Sequence, residues 1–321
     1  MGGLAAAWGS LQVAAADVEK NPEPAAGGEG PNHRVIVARA RKPDRETVRS
    51  MLERSVTALS GEESPADAWG KLLGIAGEET VGIKINVLGG KSLMSSPVLV
   101  DCIVEGLRSI GVADERIVIW ERTDKELVNT GWELRREGTG VRCYGTLPDS
   151  GYDPQPSLLA AKEIHFSRIL TQEIDLLINV PILKDHSIAG LSGAFKNHYG
   201  SFDTPGSFHG SHCDPYLAEL NHMPEIRRKE RLVVFDALRP LCDGGARDNP
   251  PARWDYGGLI VASNPLAADW VATDIIEERR KEVGLHSLRK SGRYPTYLET
   301  ASKIRPGWPS RDQVRLESIS V

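Results

Sequence analysis

The chain has 321 residues, of which 40% are hydrophobic and 26% charged, and its formal net charge is −5 at pH 7. This composition is typical of a globular protein that is long enough for one large α/β domain or two smaller ones. The mild acidity and the lack of an extended basic stripe argue against nucleic-acid binding. The 4 cysteines are far apart and form no C-x-x-C pair, which argues against an iron–sulfur cluster.

Residues 1–32 are predicted to be a signal-peptide remnant followed by a disordered linker. Residues 2–16 are apolar and rich in Ala and Gly, and they end in an A-x-A-like pattern before Asp17, as at a cleavage site. The charged n-region is missing, because Met1 is followed directly by glycine. Export and a plain Ala/Gly-rich tail on a cytoplasmic protein therefore both stay open. Residues 19–31 are rich in Pro, Gly and Glu, and no run is long enough to span a membrane.

Residues 33–321 are predicted to form a single α/β domain. Its first half alternates apolar runs with amphipathic stretches: strand 35–38, helices 44–59 and 67–73, strand 80–88, helix 98–110 and strand 116–120. A strand, a helix and a strand of these lengths make a βαβ unit. The pattern therefore predicts a mostly parallel sheet flanked by helices.

The second half of the domain starts with an irregular insertion at residues 123–153, where the pattern is polar and rich in glycine. Further strands are predicted at 175–182, 231–238 and 258–263. A long helix follows from Pro265 to about residue 284, and one more lies within 294–305. No internal repeat interrupts this order.

The segment after the strand at 175–182 carries most of the chemistry. Lys184 and His186 follow the strand directly, and Lys196, Asn197 and His198 come after a turn of small residues. Ligands of open α/β sheets bind at the carboxyl ends of the strands. If both groups face one cleft, the two ammonium groups favour an anionic ligand and lower each other's pKa. We expect the lysines and Asn197 to bind substrate, with His186 or His198 moving a proton. A solvated loop is the structural alternative.

Other candidate side chains occur at predicted strand ends and in the long helix. Lys84 and Asn86 lie at i and i+2 in the strand before Gly89-Gly90 and are predicted to bind substrate, Lys84 by holding the anion and Asn86 by orienting it. A lysine in a strand is costly to bury unless it is paired or faces a cavity. Asp236 is expected to set the charge of a catalytic histidine, and Asp243 and Asp269 are expected to contribute to the binding site. A snorkelling lysine, an Asx turn at Asp243 and a structural salt bridge at Asp269 are the alternatives.

A metal site is a further prediction. His209, His212 and Asp214 lie close together and carry side chains that bind zinc or another divalent metal. Histidines beside Gly and Ser are common in loops without any metal, and two ligands do not close a site. The sequence identifies no other cofactor.

Several segments, in this order, resemble the family catalogued as domain of unknown function 362, over roughly residues 80 to 275. The matching segments are Val81-Gly-Ile-Lys-Ile-Asn86, the run through Ile117-Val-Ile, Asn179-Val-Pro-Ile-Leu-Lys-Asp-His186, Leu191-Ser-Gly-Ala-Phe-Lys-Asn-His-Tyr-Gly200, Val234-Phe-Asp-Ala237 and Ile260-Val-Ala-Ser-Asn-Pro-Leu-Ala-Ala-Asp269. The resemblance implies site positions rather than a reaction. It also implies export by the twin-arginine route, which is often predicted for members. Some relatives carry a ferredoxin-like cluster domain, whose cysteines this chain lacks.

The leading hypothesis is an enzyme that acts on a small anionic, carboxylate-like substrate through the Lys/His/Asn cluster. A redox step and an isomerase step are equally compatible with these residues. A dinucleotide-binding fold is disfavoured, because no G-x-G-x-x-G follows a strand. The alternatives are a non-catalytic exported protein that binds a metal or an anion, and a scaffold in which the ionisable groups pair with one another. The sequence leaves the oligomeric state open.

Overall fold

The computed structural model describes residues 33–245 and 247–321, so the predicted signal remnant and linker lie outside the described residues. Export accordingly stays a prediction. The strands are β1 Arg34–Arg39, β2 Val81–Lys84, β3 Ile117–Glu121, β4 Arg142–Gly145, β5 Ser157–Leu159, β6 Lys162–Ile164, β7 Leu176–Asn179, β8 Ile182–His186, β9 Gly190–Ser192, β10 Glu230–Leu241, β11 Gly258–Ala262 and β12 Arg315–Ser320.

The α-helices are α1 Arg45–Ser60, α2 Pro65–Leu73, α3 Pro97–Ser109, α4 Asp124–Thr130, α5 Ala194–Asn197, α6 Tyr216–His222, α7 Pro224–Arg227, α8 Pro265–Glu282 and α9 Tyr297–Ile304. Short 3₁₀ turns lie at Asp114–Arg116, His198–Ser201, Pro205–Phe208, Gly210–Cys213, Pro250–Ala252 and Arg311–Gln313, and a π turn lies at Ile169–Glu173. None of the helices in these described ranges is long and apolar enough to cross a bilayer.

The main sheet is mixed and mostly parallel, which confirms the predicted fold class. Its strand order is β12-β1-β11-β10-β7-β2-β3-β4, and β8 and β9 extend from β10. The pairs from β10 through β7, β2 and β3 to β4 are all parallel, whereas β11 runs antiparallel to both of its neighbours. The short hairpin β5–β6 forms a separate two-stranded sheet within the described chain.

Local sequence explains where the helices begin and end. The Asp44 side chain accepts the Thr47 N–H at the start of α1, and Gly61 ends the helix with φ 76°, a left-handed conformation that glycine adopts at little cost. At α8 the Asn264 side chain accepts the Ala267 N–H, and Pro265 occupies the first turn, where its missing N–H is not needed. These caps account for the agreement between predicted and observed helix bounds.

Apolar side chains on both faces of the sheet form two cores. In β1, Val35 and Val37 point into one core, and Ile36 and Ala38 point into the other, which is the period of two expected for a strand. One core packs under α1, α2 and α3, and the other packs against α8 and α9. The central strands are therefore covered on both faces, as is usual for parallel sheets.

Two strand predictions need correction. The run 175–182 is not one strand: β7 ends at Asn179, Pro181 has no N–H to donate to a ladder, and β8 begins at Ile182. β7 pairs with the first part of β10 and β8 with its later part. The strand predicted at 80–88 ends at Lys84. The predicted insertion at 123–153 contains β4, which lies at the edge of the sheet.

All four cysteines are buried free thiols. Cys102 and Cys143 belong to the core under the first three helices, and Cys213 belongs to the other. Burial raises the pKa of Cys102 to about 11, so this thiol stays protonated at neutral pH.

Gly106 provides a test of the packing between α2 and α3. A Cβ at this position would overlap the indole ring of Trp69, which is buried. We expect Gly106→Ala to lower the free energy of unfolding by about 1–3 kcal/mol, because the ring has no room to move in a packed core. Gly70→Ala is the matched control, since a Cβ there meets open space in α2. It should add roughly 0.5–1 kcal/mol of stability. Urea unfolding curves compare the two variants, and a Gly106→Ala protein as stable as wild type would contradict this packing.

Candidate functional site

The carboxyl ends of neighbouring parallel strands meet at one edge of the sheet and bring the candidate residues together. Lys84 at the end of β2 is paired in register with Trp120 of β3 and with Asn179 at the end of β7. Glu121 ends β3 next to Trp120. This is the edge at which ligands of open α/β sheets bind.

Lys84 is held in a buried ion pair. Its ammonium lies 3.1 Å from Glu121 Oε1 and donates to the Ile85 carbonyl at 2.9 Å. Lys84 is fully buried, and Glu121 is nearly so. Gly200 leaves the space for this pair, because a Cβ there would lie 2.9 Å from Lys84 Nζ. The protein thus supplies the counter-charge of Lys84, which was predicted to bind substrate.

Three asparagine amides connect the strand ends to α5. Asn197 Nδ2 donates to Asn179 Oδ1 at 2.8 Å and to the Lys84 carbonyl at 3.2 Å. Asn86 Nδ2 donates to Asn197 Oδ1 at 3.0 Å. Because Asn86 uses its amino group in this way, its carbonyl oxygen is left to accept from another donor.

Lys184 is that donor, with Nζ 3.1 Å from Asn86 Oδ1. The side chain is completely buried in β8. Among the described residues, no carboxylate forms an ion pair with it. Burial lowers the pKa of Lys184 to about 8, although the charges of Glu121 and Asp185 oppose the shift.

Lys196 is also buried without a carboxylate partner among the residues described. Its Nζ lies 3.0 Å from His209 Nε2 and 3.7 Å from the centroid of the Tyr199 ring. Burial lowers the pKa of Lys196 to about 7, and the positive charge of Lys184 lowers it further. The structure therefore brings together the two lysines that the sequence placed on either side of the small-residue turn.

His186 completes this cluster of Lys184, Lys196 and His209. Its ring stacks on His209 with centroids 5.8 Å apart. Its Nδ1 accepts the N–H groups of Ile188 and Ala189, both at 3.1 Å, so the ring proton lies on Nε2. Burial lowers the pKa of His186 to about 3, and the neighbouring lysines add to the shift, so the imidazole is neutral. We call these four residues the cationic cluster.

Asp269 positions the segment that carries Lys196. Its carboxylate accepts the Ala194 N–H at 2.7 Å and the Phe195 N–H at 3.1 Å at the start of α5. Gly193 permits this contact, because a Cβ there would overlap an Asp269 oxygen. Burial raises the pKa of Asp269 to about 8. Asp269 therefore caps backbone groups at the start of α5, and its predicted contribution to the binding site stays a prediction.

His198 lies behind the cationic cluster and is fully buried. Its Nδ1 contacts Ser201 Oγ at 3.2 Å, and its Nε2 lies 3.3 Å from Glu230 Oε2 and 3.4 Å from Asn179 Nδ2. Both ring nitrogens are thus occupied by protein groups. This arrangement does not support a proton-transfer role for His198, which stays a prediction.

Asp236 and Asp243 contact groups other than the histidines. The Asp236 carboxylate accepts the Ser96 N–H at 2.7 Å and the Leu238 N–H at 3.0 Å, and burial raises its pKa to about 6. Asp243 Oδ1 lies 2.9 Å from both Arg280 and Arg293. The roles predicted for these two aspartates stay predictions.

The three residues of the predicted metal site are not brought together. His209 uses Nδ1 on the Pro205 carbonyl at 3.1 Å and Nε2 on Lys196, and His212 Nδ1 contacts the Ile188 carbonyl at 3.0 Å. Within residues 33–245 and 247–321, no group of three or more His, Cys, Asp or Glu side chains could hold a metal ion. The donor set does not fit a resident metal, and the predicted site stays without support.

Three features of the site were not predicted from the sequence: Glu121, Asn179 and the role of His209. Glu121 directly follows a predicted strand, and Asn179 lies within an apolar run; a charged or amide residue in such a position signals a buried partner. His209 was predicted to bind a metal, but it holds Lys196.

The protein is thus an α/β protein with a buried cationic cluster at the carboxyl edge of its sheet. It belongs to the family described as domain of unknown function (DUF362), whose model matches residues 81–274 and so contains nearly all of the site; this confirms the resemblance found in the sequence. No curated protein matches the chain in sequence.

Two solved structures resemble the fold in part. A crystal structure of a Thermotoga maritima protein, a structural-genomics target, matches at 9% identity and a TM-score of 0.49, covering 77% of this chain and 61% of that one. The lactate racemase apoprotein from Thermoanaerobacterium thermosaccharolyticum matches at 14% identity and a TM-score of 0.42, covering 78% of this chain and 59% of that one. The chain therefore spans about three fifths of each of these proteins.

Replacement by Met should change the free energy of unfolding differently at Lys84, which has a carboxylate partner, and at Lys184, which has none among the described residues. Lys84→Met leaves Glu121 buried without its counter-charge, so we expect a loss of about 3–5 kcal/mol in the free energy of unfolding. Lys184→Met should leave stability within ~1 kcal/mol of wild type, or raise it, at pH 6.5. The reason is that the pKa of Lys184 falls from 10.5 to about 8 on folding, so protonation opposes folding at pH 6.5.

Urea unfolding of the two variants at pH 6.5 measures this difference. Lys84→Met combined with Glu121→Leu should recover part of the loss, because no charge is then left unpaired. A Lys184→Met protein destabilised as strongly as Lys84→Met would show that Lys184 is a structural residue.

Proposed function

We propose that this protein is an enzyme that binds a small carboxylate anion in the cationic cluster and moves a proton on it. The observation that carries the proposal is the pair of buried ammonium groups, Lys184 and Lys196, that no carboxylate of the described residues neutralises. Buried charges are costly when unpaired. In this proposal, a bound anion supplies the negative counter-charge for these two ammonium groups.

The hydrogen bonds of the cluster favour the same kind of ligand. Lys184 donates to one amide oxygen and Lys196 to one imidazole nitrogen, so each ammonium retains further N–H donors. His186 adds an Nε2–H, since its Nδ1 is already occupied by backbone donors. A site with several donors and few acceptors suits the oxygens of a carboxylate.

The size of the ligand follows from burial. Lys184 is completely buried, His186 is 6% exposed and Lys196 is 8% exposed. Burial of this extent restricts the proposed ligand to a small molecule. Two surface cavities, of about 250 and 240 Å³, are lined by other residues and contain no member of the cationic cluster.

The assignment of roles follows the geometry. Lys184 and Lys196 hold the anion, and Asn86 and Asn197 fix the direction of Lys184 through the amide chain. His186 donates its Nε2–H to the anion and has no free lone pair to take up a proton, because its Nδ1 is occupied by backbone N–H groups. The candidate for proton transfer is Lys196, whose pKa is about 7 and whose Nζ lies 3.0 Å from His209 Nε2.

Calorimetric titration with acetate, oxalate and pyruvate tests the site. We expect at least one of these anions to bind wild type, and Lys184→Met or Lys196→Met to weaken it about 10- to 100-fold, because a charge-assisted hydrogen bond is lost. Lys303→Met is the matched control, since Lys303 is exposed on α9. Wild-type affinity in both cluster variants would contradict the proposal.

The affinity should also depend on pH with a defined sign. The pKa of Lys196 is about 7 and that of Lys184 about 8, and the anion binds the protonated forms. Affinity should therefore be highest near pH 6 and fall between pH 7 and 9, by about tenfold per pH unit for each lysine that loses its proton. Besides burial, the neighbouring charges behind these values are Glu121 and Asp185 for Lys184, and Lys184 and Arg122 for Lys196.

Titrations at pH 8 in two buffers of different ionisation enthalpy measure the linked proton directly. Binding should take up protons, because the anion raises the pKa of both lysines. In Lys184→Met, the pH dependence of the affinity near pH 8 should disappear, and the pH dependence near pH 7 should remain. Proton release on binding, or an affinity that is constant from pH 6 to 9, would contradict the proposal.

A further inference from the structure

We propose that Lys196 is a covalent nucleophile, which forms an imine with the carbonyl carbon of a 2-oxo acid. This inference rests on the proposed anion site and names its substrate class. It comes from the arrangement of Lys196, His209 and Pro205. The buried amine of Lys196 contacts His209, which is a base, and the Pro205 carbonyl holds His209 in place. A nucleophile next to a base that a third group orients is a common way to activate nucleophiles.

The distances support this arrangement. Lys196 Nζ lies 3.0 Å from His209 Nε2, within reach of direct proton transfer. His209 Nδ1 contacts the Pro205 carbonyl at 3.1 Å, so it carries the ring proton and leaves Nε2 as an acceptor. The Tyr199 ring face, 3.7 Å from Nζ, shields the other side of the amine.

The surroundings of Lys196 differ from those of a structural lysine. Lys84, in the same edge of the sheet, has Glu121 as counter-ion. Lys196 contacts a neutral imidazole and an aromatic face and has no counter-ion within the described part of the chain. Its pKa of about 7 leaves part of the population as free amine at neutral pH. An amine next to a second cation is a known way to activate lysine as a nucleophile.

The second cation defines the substrate. Lys184 and the Nε2–H of His186 are donors beside Lys196 that do not have to move for the reaction. They suit a carboxylate, while Lys196 reaches the adjacent carbonyl carbon. A carboxylate directly bonded to a carbonyl carbon is a 2-oxo acid.

The step balances without an oxidant or another reactant. His209 Nε2 takes one proton from the Lys196 ammonium, and the free amine attacks the carbonyl carbon as the carbonyl π bond breaks. The oxygen receives two of the ammonium protons, one of them through His209, and leaves as water. The product is an iminium that retains the third proton and the positive charge.

Borohydride trapping with pyruvate tests this step on the whole chain. Wild-type protein incubated with pyruvate and sodium borohydride should gain the mass of one reduced pyruvyl group, and peptide mapping should locate it on Lys196. The mapping needs no variant, so the result does not depend on how a substituted protein folds. Lys303→Met should label like wild type, and Lys196→Met should not label.

His209→Gln should slow imine formation by about 100-fold or more at pH 7, because it removes the proton acceptor. Oxalate, which has no ketone, should protect against labelling if it occupies the same site. A label on Lys184 or on exposed lysines only would overturn the assignment to Lys196.

The trapping result is distinguishable from the test of anion binding. Pyruvate or oxalate that binds in a Lys184-dependent manner, with no label on Lys196, overturns the covalent step and leaves the anion site in place. Absence of both binding and label overturns both proposals. A label on Lys196 that persists in Lys184→Met with unchanged pyruvate dependence overturns the 2-oxo acid assignment, because the carboxylate is then not recognised.

Discussion

The Asn197 amide is the interaction on which the arrangement of the site depends. It accepts from Asn86, and it donates to Asn179 and to the Lys84 carbonyl, so one side chain in α5 connects the ends of β2 and β7. All of these side chains are buried, where an unpaired amide costs about 1–3 kcal/mol. The orientation of Asn197 therefore dictates that of Asn86, whose free oxygen then receives Lys184.

The site contains two kinds of buried lysine: one with a carboxylate partner, and two with no carboxylate partner among the described residues. Lys84 has a carboxylate 3.1 Å away, and removal of either partner would leave a buried charge. Lys184 and Lys196 contact an amide oxygen and an imidazole, which satisfy hydrogen bonds but supply no negative charge. A protein that needed these lysines only for packing could replace them with apolar side chains at lower cost. Their burial without a carboxylate partner among the described residues is the observation that supports the proposed anionic ligand.

Local patterns predicted most of the fold, because caps and apolar periodicity depend on near neighbours in sequence. The helices that follow Asp44 and begin at Pro265 lie in the described structure where the pattern indicated. The break at Pro181 and the strand β8 were missed, because the apolar run continues across them and only pairing with the distant β10 separates the strands. Within the site, the proximity of Lys184 and Lys196 was predictable from two clusters at one strand end. The lack of a counter-ion for either lysine among the described residues was not predictable, because ion-pair partners lie far apart in sequence.

The electrostatics of the cationic cluster also bear on the choice between an anion and a metal. A metal ion on His209 would need Nε2, which already accepts from Lys196, and its charge would add to two ammonium groups. The nearest carboxylates are engaged elsewhere: Glu121 with Lys84, and Asp185 with Arg293 at 2.7 Å. The proposed carboxylate ligand would be attracted by the same charges. The N–H donors of Lys184, Lys196 and His186 are in place, and no carboxylate of the described residues neutralises the two lysines. The contact between His209 Nε2 and Lys196 Nζ at 3.0 Å therefore supports the proposed role of His209 as the proton acceptor of a lysine, and metal binding by His209 stays a prediction.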